Sequence, residues 1–423
     1  GPENLAVAVL IVLAWLRVAA PSLVHMFTAG RPAFNSPDAV SAAADALGDA
    51  ISLAFIAVAA ALAASGIWRR TVPPDRPAGT RRPARLLLLA VVLAPLISIA
   101  LAGLRAGQVP GLVSLALPLA AVAVWLRPPE PRVLATIGVL GAVTAAGSVL
   151  MALVRPDLAL LSGAAAGAKT GMPGGLLAGP YPHSNVLGIS LALSLPFVLH
   201  IGHNLARRGC LAAVLLALAW TGSRTAQLAA AAVLLSYLLI RRHPARIWPL
   251  VAPVVAGAVL IVALPLFTRD PDAFTDRGRI WQALLDRWAD RPLLGWGPDV
   301  FDRPELAGEL GGRFNHGHNV MVHLLVIGGL ITAVLFAGLL YVAWRQSLAF
   351  ARAGMAAAAL FLVALVHVSW LEASHVSTTL AGYLTWLPLV LIVRLGPAPP
   401  AARARRADGS RGAAAQKMTV SRM

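Results

Sequence analysis

Long apolar runs recur along the chain, and short polar segments separate them. A helix needs roughly 20 apolar residues to cross the hydrocarbon core of a bilayer, and runs near this length occur about 12 times. The pattern therefore predicts an all-α fold, a polytopic transmembrane helical bundle. The predicted spans are residues 5–27, 50–67, 86–104, 111–126, 133–154, 184–201, 208–223, 225–240, 248–267, 319–343, 353–371 and 376–394.

Composition agrees with this prediction, because 58% of the 423 residues are hydrophobic and the mean hydropathy is +0.75. The single cysteine, Cys210, lies within an apolar run. A single cysteine excludes a disulfide framework and a site with several cysteine ligands.

The distribution of charge predicts the orientation of the bundle. With both termini in the cytoplasm, the inner loops and the tail hold 22 of the 35 basic residues but three of the 18 acidic ones. Basic residues concentrate in the cytoplasmic loops of membrane proteins. We therefore expect a multi-pass protein of the cytoplasmic membrane with both termini inside. The net charge of +17 then requires no nucleic acid, and no nucleic-acid partner is predicted.

One long polar loop, residues 268–318, divides the chain. Residues 1–267 hold the first nine predicted spans with short loops, and residues 319–395 hold the last three. The loop contains seven arginines and nine carboxylates in a chain with 13% charged residues, so we expect it to be an extracytoplasmic catalytic segment. The basic tail, 396–423, is rich in Pro, Ala, Gly and Arg, and this composition predicts disorder.

Within the loop, residues 276–290 have the spacing of an amphipathic helix. Its apolar positions are Ile280, Trp281, Leu284, Leu285 and Trp288. Thr275 or Asp276 is expected to cap its start, and Arg291-Pro292 to end it. Two compatible placements are open: a helix in the lipid headgroup region and a helix packed over the bundle.

Three motifs in this part of the chain occur in a recognisable order. Gly222-Ser-Arg-Thr-Ala-Gln lies at the end of one span, and Pro292-Leu-Leu-Gly-Trp-Gly lies in the loop. His318 and Asn319 follow, with Gly329 and Thr332 completing the pattern His-Asn-x9-Gly-x2-Thr. Together with Pro182-His-Ser-Asn, these motifs resemble the O-antigen ligase and O-antigen polymerase superfamily. The resemblance covers about residues 180–335.

The resemblance implies a membrane glycosyltransferase without a cofactor or a metal. Its donor would be a glycan on polyprenyl pyrophosphate, and its acceptor a hydroxyl of a glycolipid or cell-envelope glycan outside the membrane. By this resemblance Arg224 and Arg279 would bind the pyrophosphate, and His318 would act on the acceptor hydroxyl. The supporting residues would be Asn319, Arg277, Arg291, His316, His183 and Asn185.

The chemistry requires these residue types independently of the family. Breaking a sugar–pyrophosphate bond places negative charge on the leaving group, and guanidinium groups pair with phosphates in a bidentate manner. An imidazole accepts a proton near neutral pH, so a histidine suits the role of general base.

Structural roles are the alternatives for the same side chains. Arg224 at a span end is also typical of an arginine that extends to water, and His318 of a residue that caps a helix. His323, about one turn further on, is expected to share a role with His318, whereas His367 and His375 are expected to be packing residues.

Carboxylates suggest two further alternatives. Asp270 and Asp272 form an Asp-x-Asp pair, which can hold a metal, although a solvated loop is favoured. Asp38, Asp45 and Asp49 follow the first span, where other polyprenyl-phosphate glycosyltransferases place a catalytic aspartate.

Two other functions remain open. A polysaccharide polymerase would join lipid-linked repeat units with a similar set of residues. A transporter would need polar residues within the bundle, but the polar groups here gather at the outer ends of the spans.

Overall fold

The computed structural model describes residues 2–31, 41–71, 82–162, 174–309 and 316–395. Helices dominate this part of the chain, and two short strands, Leu160–Leu161 and Leu176–Leu177, pair antiparallel. The helices are α1 (Pro2–Ala29), α2 (Ala42–Thr71), α3 (Arg82–Arg105), α4 (Ala116–Leu126), α5 (Ala135–Val154), α6 (Pro156–Ala159), α7 (Ser184–Val198), α8 (Asn204–Thr221), α9 (Arg224–Arg242), α10 (Trp248–Phe267), α11 (Ala273–Ala289), α12 (Pro304–Glu309), α13 (Val320–Arg352), α14 (Ala357–Ser369) and α15 (Tyr383–Arg394). The predicted tail 396–423 and Asp38 lie outside the described residues.

Six helical segments in the described part of the chain are long and apolar enough to cross a membrane. They are Pro2–Ala29, Ala42–Trp68, Arg85–Arg105, Pro131–Val154, Trp248–Phe267 and Val320–Arg352. The helices α4, α7, α14 and α15 belong to shorter apolar segments, and α8 and α9 meet neither description. Each predicted span coincides with a helix, so the multi-pass helical bundle is confirmed, and the number of crossings stays a prediction.

The break between α8 and α9 falls at Gly222, which adopts a left-handed conformation with φ +60°. Glycine has no Cβ and adopts this conformation without strain, so the chain can reverse in two residues. Ser223 follows, and Arg224 begins α9.

Contacts at the helix ends show which ends lie together. Arg127, after α4, pairs with Glu3 of α1 at 2.9 Å, and Arg394 of α15 donates to the carbonyl of Trp125 at 3.1 Å. The start of α1 and the end of α15 therefore lie at one end of the bundle. At the other end, Arg31 donates to the carbonyls of Leu158, Gly179 and Tyr181. Which of these ends faces the cytoplasm stays a prediction.

The amphipathic helix α11 packs onto the bundle with its apolar face. Ile280, Trp281 and Leu284 are buried, which favours the packed placement over an isolated position among lipid headgroups. Its start differs from the predicted cap. Phe274, Thr275 and Asp276 have positive φ angles, so a left-handed turn precedes the regular helix.

Candidate functional site

The first turn of α13 places His318 at one end of the bundle. Asn319 is the N-cap residue, and its side-chain oxygen accepts from the backbone N–H groups of Met321 at 2.9 Å and Val322 at 3.2 Å. An asparagine cap accepts hydrogen bonds from the first backbone N–H groups of a helix, which have no acceptor within the helix itself. His318, immediately before the cap, has a left-handed φ of +49°. The cap therefore fixes where the His318 backbone leaves the helix.

Asn319 also joins three elements through its side-chain nitrogen. Nδ2 donates to the carbonyl of Ile261 in α10 at 2.9 Å and to the carbonyl of Trp370 after α14 at 3.1 Å. The residue is fully buried, so these bonds form where water cannot replace them. The predicted supporting residue Asn319 therefore holds the segment after α14 against the start of α13.

That segment carries Glu372, for which the sequence alone predicts no role. Oε1 of Glu372 lies 3.0 Å from Nε2 of His316 and 3.1 Å from Nδ1 of His318. The Glu372 side chain is 5% exposed, whereas that of His318 is 21% exposed. A buried carboxylate thus contacts both histidines, and His318 is the one that reaches the surface.

Arg277 approaches Glu372 from the other side. Its Nη2 atom lies 3.9 Å from Oε2 of Glu372, and its Nε donates to the carbonyl of Leu371 at 3.0 Å. The segment 370–372 is therefore held by Asn319, by Arg277 and by the two histidines. The sequence signal for Glu372 is its isolation, because it is the one carboxylate between positions 319 and 395 of the sequence.

The charges around Glu372 determine its protonation. Burial alone would raise the pKa of Glu372, but His316, His318 and Arg277 together lower it below its ordinary range. Burial lowers the pKa of His316 well below its ordinary value, and Glu372 opposes this shift only in part. Burial therefore favours the neutral form of His316, and the neighbouring positive charges favour the ionised form of Glu372.

Arg277 and Arg279 point in different directions, because residues two apart on a helix do not share a face. Arg279 pairs with Asp272 at 2.9 Å and Asp276 at 3.6 Å, and its side chain is 53% exposed. The structure brings Arg277 to the histidines through Glu372 and places Arg279 at the solvent.

The Pro-Leu-Leu-Gly-Trp-Gly segment docks onto a break in α13. Gly329 interrupts the helix with φ +70° and ψ −174°. Leu330 and Ile331 donate to the carbonyls of Pro292 and Leu293, and Trp296 donates to Val326 at 2.8 Å. A Cβ at Gly329 would overlap the backbone of Leu293 and Leu294. The loop therefore supplies the hydrogen bonds that the broken helix lacks, and it requires glycine here.

Residues 209–337 match the family model described as O-Antigen ligase. The chain carries an O-antigen ligase domain. The resemblance inferred from the motifs is confirmed for this segment, which includes Arg224, Arg277, Arg279, His318 and Asn319. No curated protein gave a match to the chain.

The O-antigen ligase domain extends from α8 into the first half of α13. Glu372, His183 and Asn185 lie outside it. The domain therefore contains the histidines and arginines of the site, whereas the carboxylate that joins them comes from the segment after α14.

Arg224, His183 and Asn185 lie at the starts of α9 and α7. Nδ1 of His183 accepts from the backbone N–H of Asn185 at 3.0 Å, so His183 caps α7. A Cβ at Gly188 would overlap Ser223, which shows that the two helix starts are in close contact. Arg224 is exposed at this edge of the O-antigen ligase domain.

The remaining predicted residues have packing contacts. The guanidinium of Arg291 lies 3.9 Å from the centre of the Trp296 ring, and His323 stacks on Phe301. His375 bonds with Ser369 and Thr385. His367 bonds with the carbonyl of Val363. Packing roles were predicted for these last two histidines. Nδ1 of His323 accepts from the backbone N–H of Gly317, next to His318, at 3.4 Å, and a role shared with His318 stays a prediction.

In the described part of the chain, one cluster of three side chains has the arrangement of metal ligands. One ligand atom from each of His316, His318 and Glu372 lies within 4.8 Å of the others. The Asp-x-Asp pair has a different environment, since Asp272 pairs with Arg279 and Asp270 bonds to the backbone of Asp272. Asp45 and Asp49 are exposed on α2.

Proposed function

We propose that the chain is a membrane glycosyltransferase of the O-antigen ligase type. It transfers a glycan from a polyprenyl pyrophosphate carrier to a hydroxyl of a glycolipid or cell-envelope glycan on the outer face of the cytoplasmic membrane. The proposal is supported by an O-antigen ligase domain within a multi-pass helical bundle. The observation that carries it is the contact of His318 Nδ1 with Glu372 Oε1 at 3.1 Å.

This contact supports a role for His318 as general base. With Nδ1 directed at Glu372, the acceptor hydroxyl would give its proton to Nε2 as its oxygen attacks the anomeric carbon. The carboxylate would hold the imidazole in the required tautomer and stabilise the imidazolium that forms, as in other carboxylate–histidine pairs. The sugar–pyrophosphate bond breaks, and the leaving pyrophosphate keeps the electron pair.

Arginines would bind the leaving group. Arg224 and Arg279 are both exposed at the starts of helices, where a phosphate can approach them. In this proposal an incoming pyrophosphate would replace Asp272 as the partner of Arg279. Surface ion pairs contribute little free energy, so this exchange would cost little. Arg277 would instead position Glu372.

The proposal is tested by transfer with purified full-length protein. The donor is the lipid-linked glycan fraction extracted from membranes, and the acceptor is a donor-free envelope fraction. We expect wild-type protein to transfer glycan and His318→Gln to lose roughly 10²- to 10⁴-fold in rate, because an amide cannot accept the proton. His243→Gln serves as the control, because His243 is exposed and follows the end of α9 opposite to Arg224. Near-normal transfer by His318→Gln would overturn the assignment.

A polymerase of the same superfamily is the second candidate, and the same assay separates the two. A ligase attaches each donor glycan once to a separate acceptor, so omission of the acceptor stops the reaction. A polymerase would produce a ladder of longer glycans from the donor alone.

A further inference from the structure

Three side chains at the site converge with the spacing of metal ligands. The distances from Glu372 Oε1 to His316 Nε2 and His318 Nδ1 are 3.0 and 3.1 Å. Neighbouring ligands around a tetrahedral ion with bonds of roughly 2.0–2.2 Å are separated by about 3.3–3.6 Å. A small movement of these side chains would therefore place all three atoms around one ion.

The donor types select a class of ion. Two imidazole nitrogens and one carboxylate oxygen suit Zn²⁺ and its neighbours among the transition metals, whereas Mg²⁺ and Ca²⁺ prefer oxygen ligands.

We propose that His316, His318 and Glu372 bind a Zn²⁺-class ion and that this binding inhibits glycan transfer. The inhibition rests on the proposed role of His318 as base. A metal on Nδ1 of a neutral imidazole leaves the single ring proton on Nε2. Nε2 then has no lone pair for the acceptor hydroxyl. At His318 the metal thus takes the place of the Nδ1 proton, which moves to Nε2. At His316 a metal on Nε2 moves the ring proton to Nδ1, so the 3.2 Å hydrogen bond from the His318 backbone N–H to His316 Nδ1 has to open. Each imidazole stays neutral, and no proton is gained or lost overall.

Arg277 limits the affinity of this site. Its guanidinium is 3.9 Å from the second oxygen of Glu372, and its positive charge repels a divalent cation. Oε1 remains directed at the histidines. We therefore expect reversible binding, in which a chelator restores activity, rather than a permanently held ion.

Binding is tested first without reference to transfer. Metal-free full-length protein in detergent is titrated with Co²⁺, whose visible absorption changes when it enters a four-coordinate site, and then with Zn²⁺. We expect one Co²⁺ per chain in wild-type protein, displaced by Zn²⁺. His316→Gln and His316→Asn should bind at least tenfold more weakly, and His243→Gln should bind like wild type. Size-exclusion elution and unfolding temperature show whether each variant is folded. Equal Co²⁺ affinity in the folded His316 variants would overturn the site.

Inhibition is tested separately. Zn²⁺ should slow transfer by wild-type protein at least tenfold, and a chelator should reverse this effect. Relative to its own metal-free rate, His316→Gln should require at least tenfold more Zn²⁺. A metal-free protein that is slower than the Zn²⁺-loaded one would overturn the inhibition. Co²⁺ binding without any transfer would support the metal site and overturn the proposed function.

Discussion

His318 Nδ1 lies 3.1 Å from Oε1 of Glu372, although the whole of α13 and α14 lies between the two residues in the sequence. The carboxylate is buried and the imidazole reaches the surface. A group that accepts a proton from substrate must meet the substrate, whereas the group that orients it need not. The pair therefore has the division of exposure expected of a base and its positioning residue.

If the pair acts as a unit, its two members should not contribute independently. We expect Glu372→Gln to reduce the transfer rate by about 10- to 100-fold, because the amide cannot stabilise an imidazolium. The double variant with His318→Gln should be no slower than His318→Gln alone. Additive losses in this double-mutant cycle would show that Glu372 acts elsewhere.

Arg277 and Arg279 are neighbours on α11, but their substitution should affect different kinetic constants. Arg279→Ala and Arg224→Ala are expected to lose transfer and to weaken pyrophosphate binding, with little recovery in the lysine variants, since lysine lacks the planar fork. Arg277→Ala should instead lower kcat about tenfold or more with little change in the donor KM. An equal rise in donor KM for Arg277→Ala and Arg279→Ala would place both at the pyrophosphate.

The break in α13 gives a prediction about stability. Gly329→Ala should destabilise the protein by about 1–3 kcal/mol or more, because alanine is strained at this φ and ψ and its Cβ would overlap Leu293. Gly338→Ala is the matched control, because Gly338 lies on the same helix with no atom within 4 Å of an added Cβ. Its unfolding temperature should stay the same or rise. A Gly329→Ala variant as stable as wild type would contradict the docking of the loop.

Buried His375 should make stability depend on pH. Burial lowers the pKa of His375 to about 4, although the carboxylate of Glu372 opposes the shift. The unfolded chain binds the proton first, so stability is present above about pH 6.5 and is lost as pH falls towards 4. The lowered pKa of His375 corresponds to a contribution on the order of 3 kcal/mol to the free energy of unfolding.

Thermal unfolding of detergent-solubilised protein between these pH values measures this effect. The decline of Tm should be shallower in His375→Gln and unchanged in His243→Gln. Identical slopes in all three proteins would mean that other groups dominate.

Orientation is open to direct measurement in intact cells. In a background with Cys210→Ala, Asp290→Cys after α11 should react with an impermeant thiol reagent, and His243→Cys after α9 should not. Both positions are exposed on the protein, so a difference in labelling reports which side of the membrane each one occupies. Labelling of position 243 in intact cells would reverse the predicted topology and place His318 in the cytoplasm.

The sequence by itself determined the helices and the O-antigen ligase domain, and it selected His318 and Asn319 as candidate site residues. Apolar length and helical spacing are local properties, so the chain could be divided into helices without knowing their neighbours. The motif around His318 is also local, because a helix cap and the glycine break lie within a few turns. These features needed no knowledge of how the helices pack.

Only the tertiary structure decided which charges meet. Glu372 has no surrounding motif, and it joins His318 because Asn319 binds the carbonyl of Trp370 across two helices. Likewise, the difference between Arg277 and Arg279 depends on which face of α11 lies against the bundle. The need for glycine at position 329 also depends on the loop that begins at Pro292 and packs against the break in α13. Contacts between distant segments follow from helix packing, which a pattern along one chain does not specify.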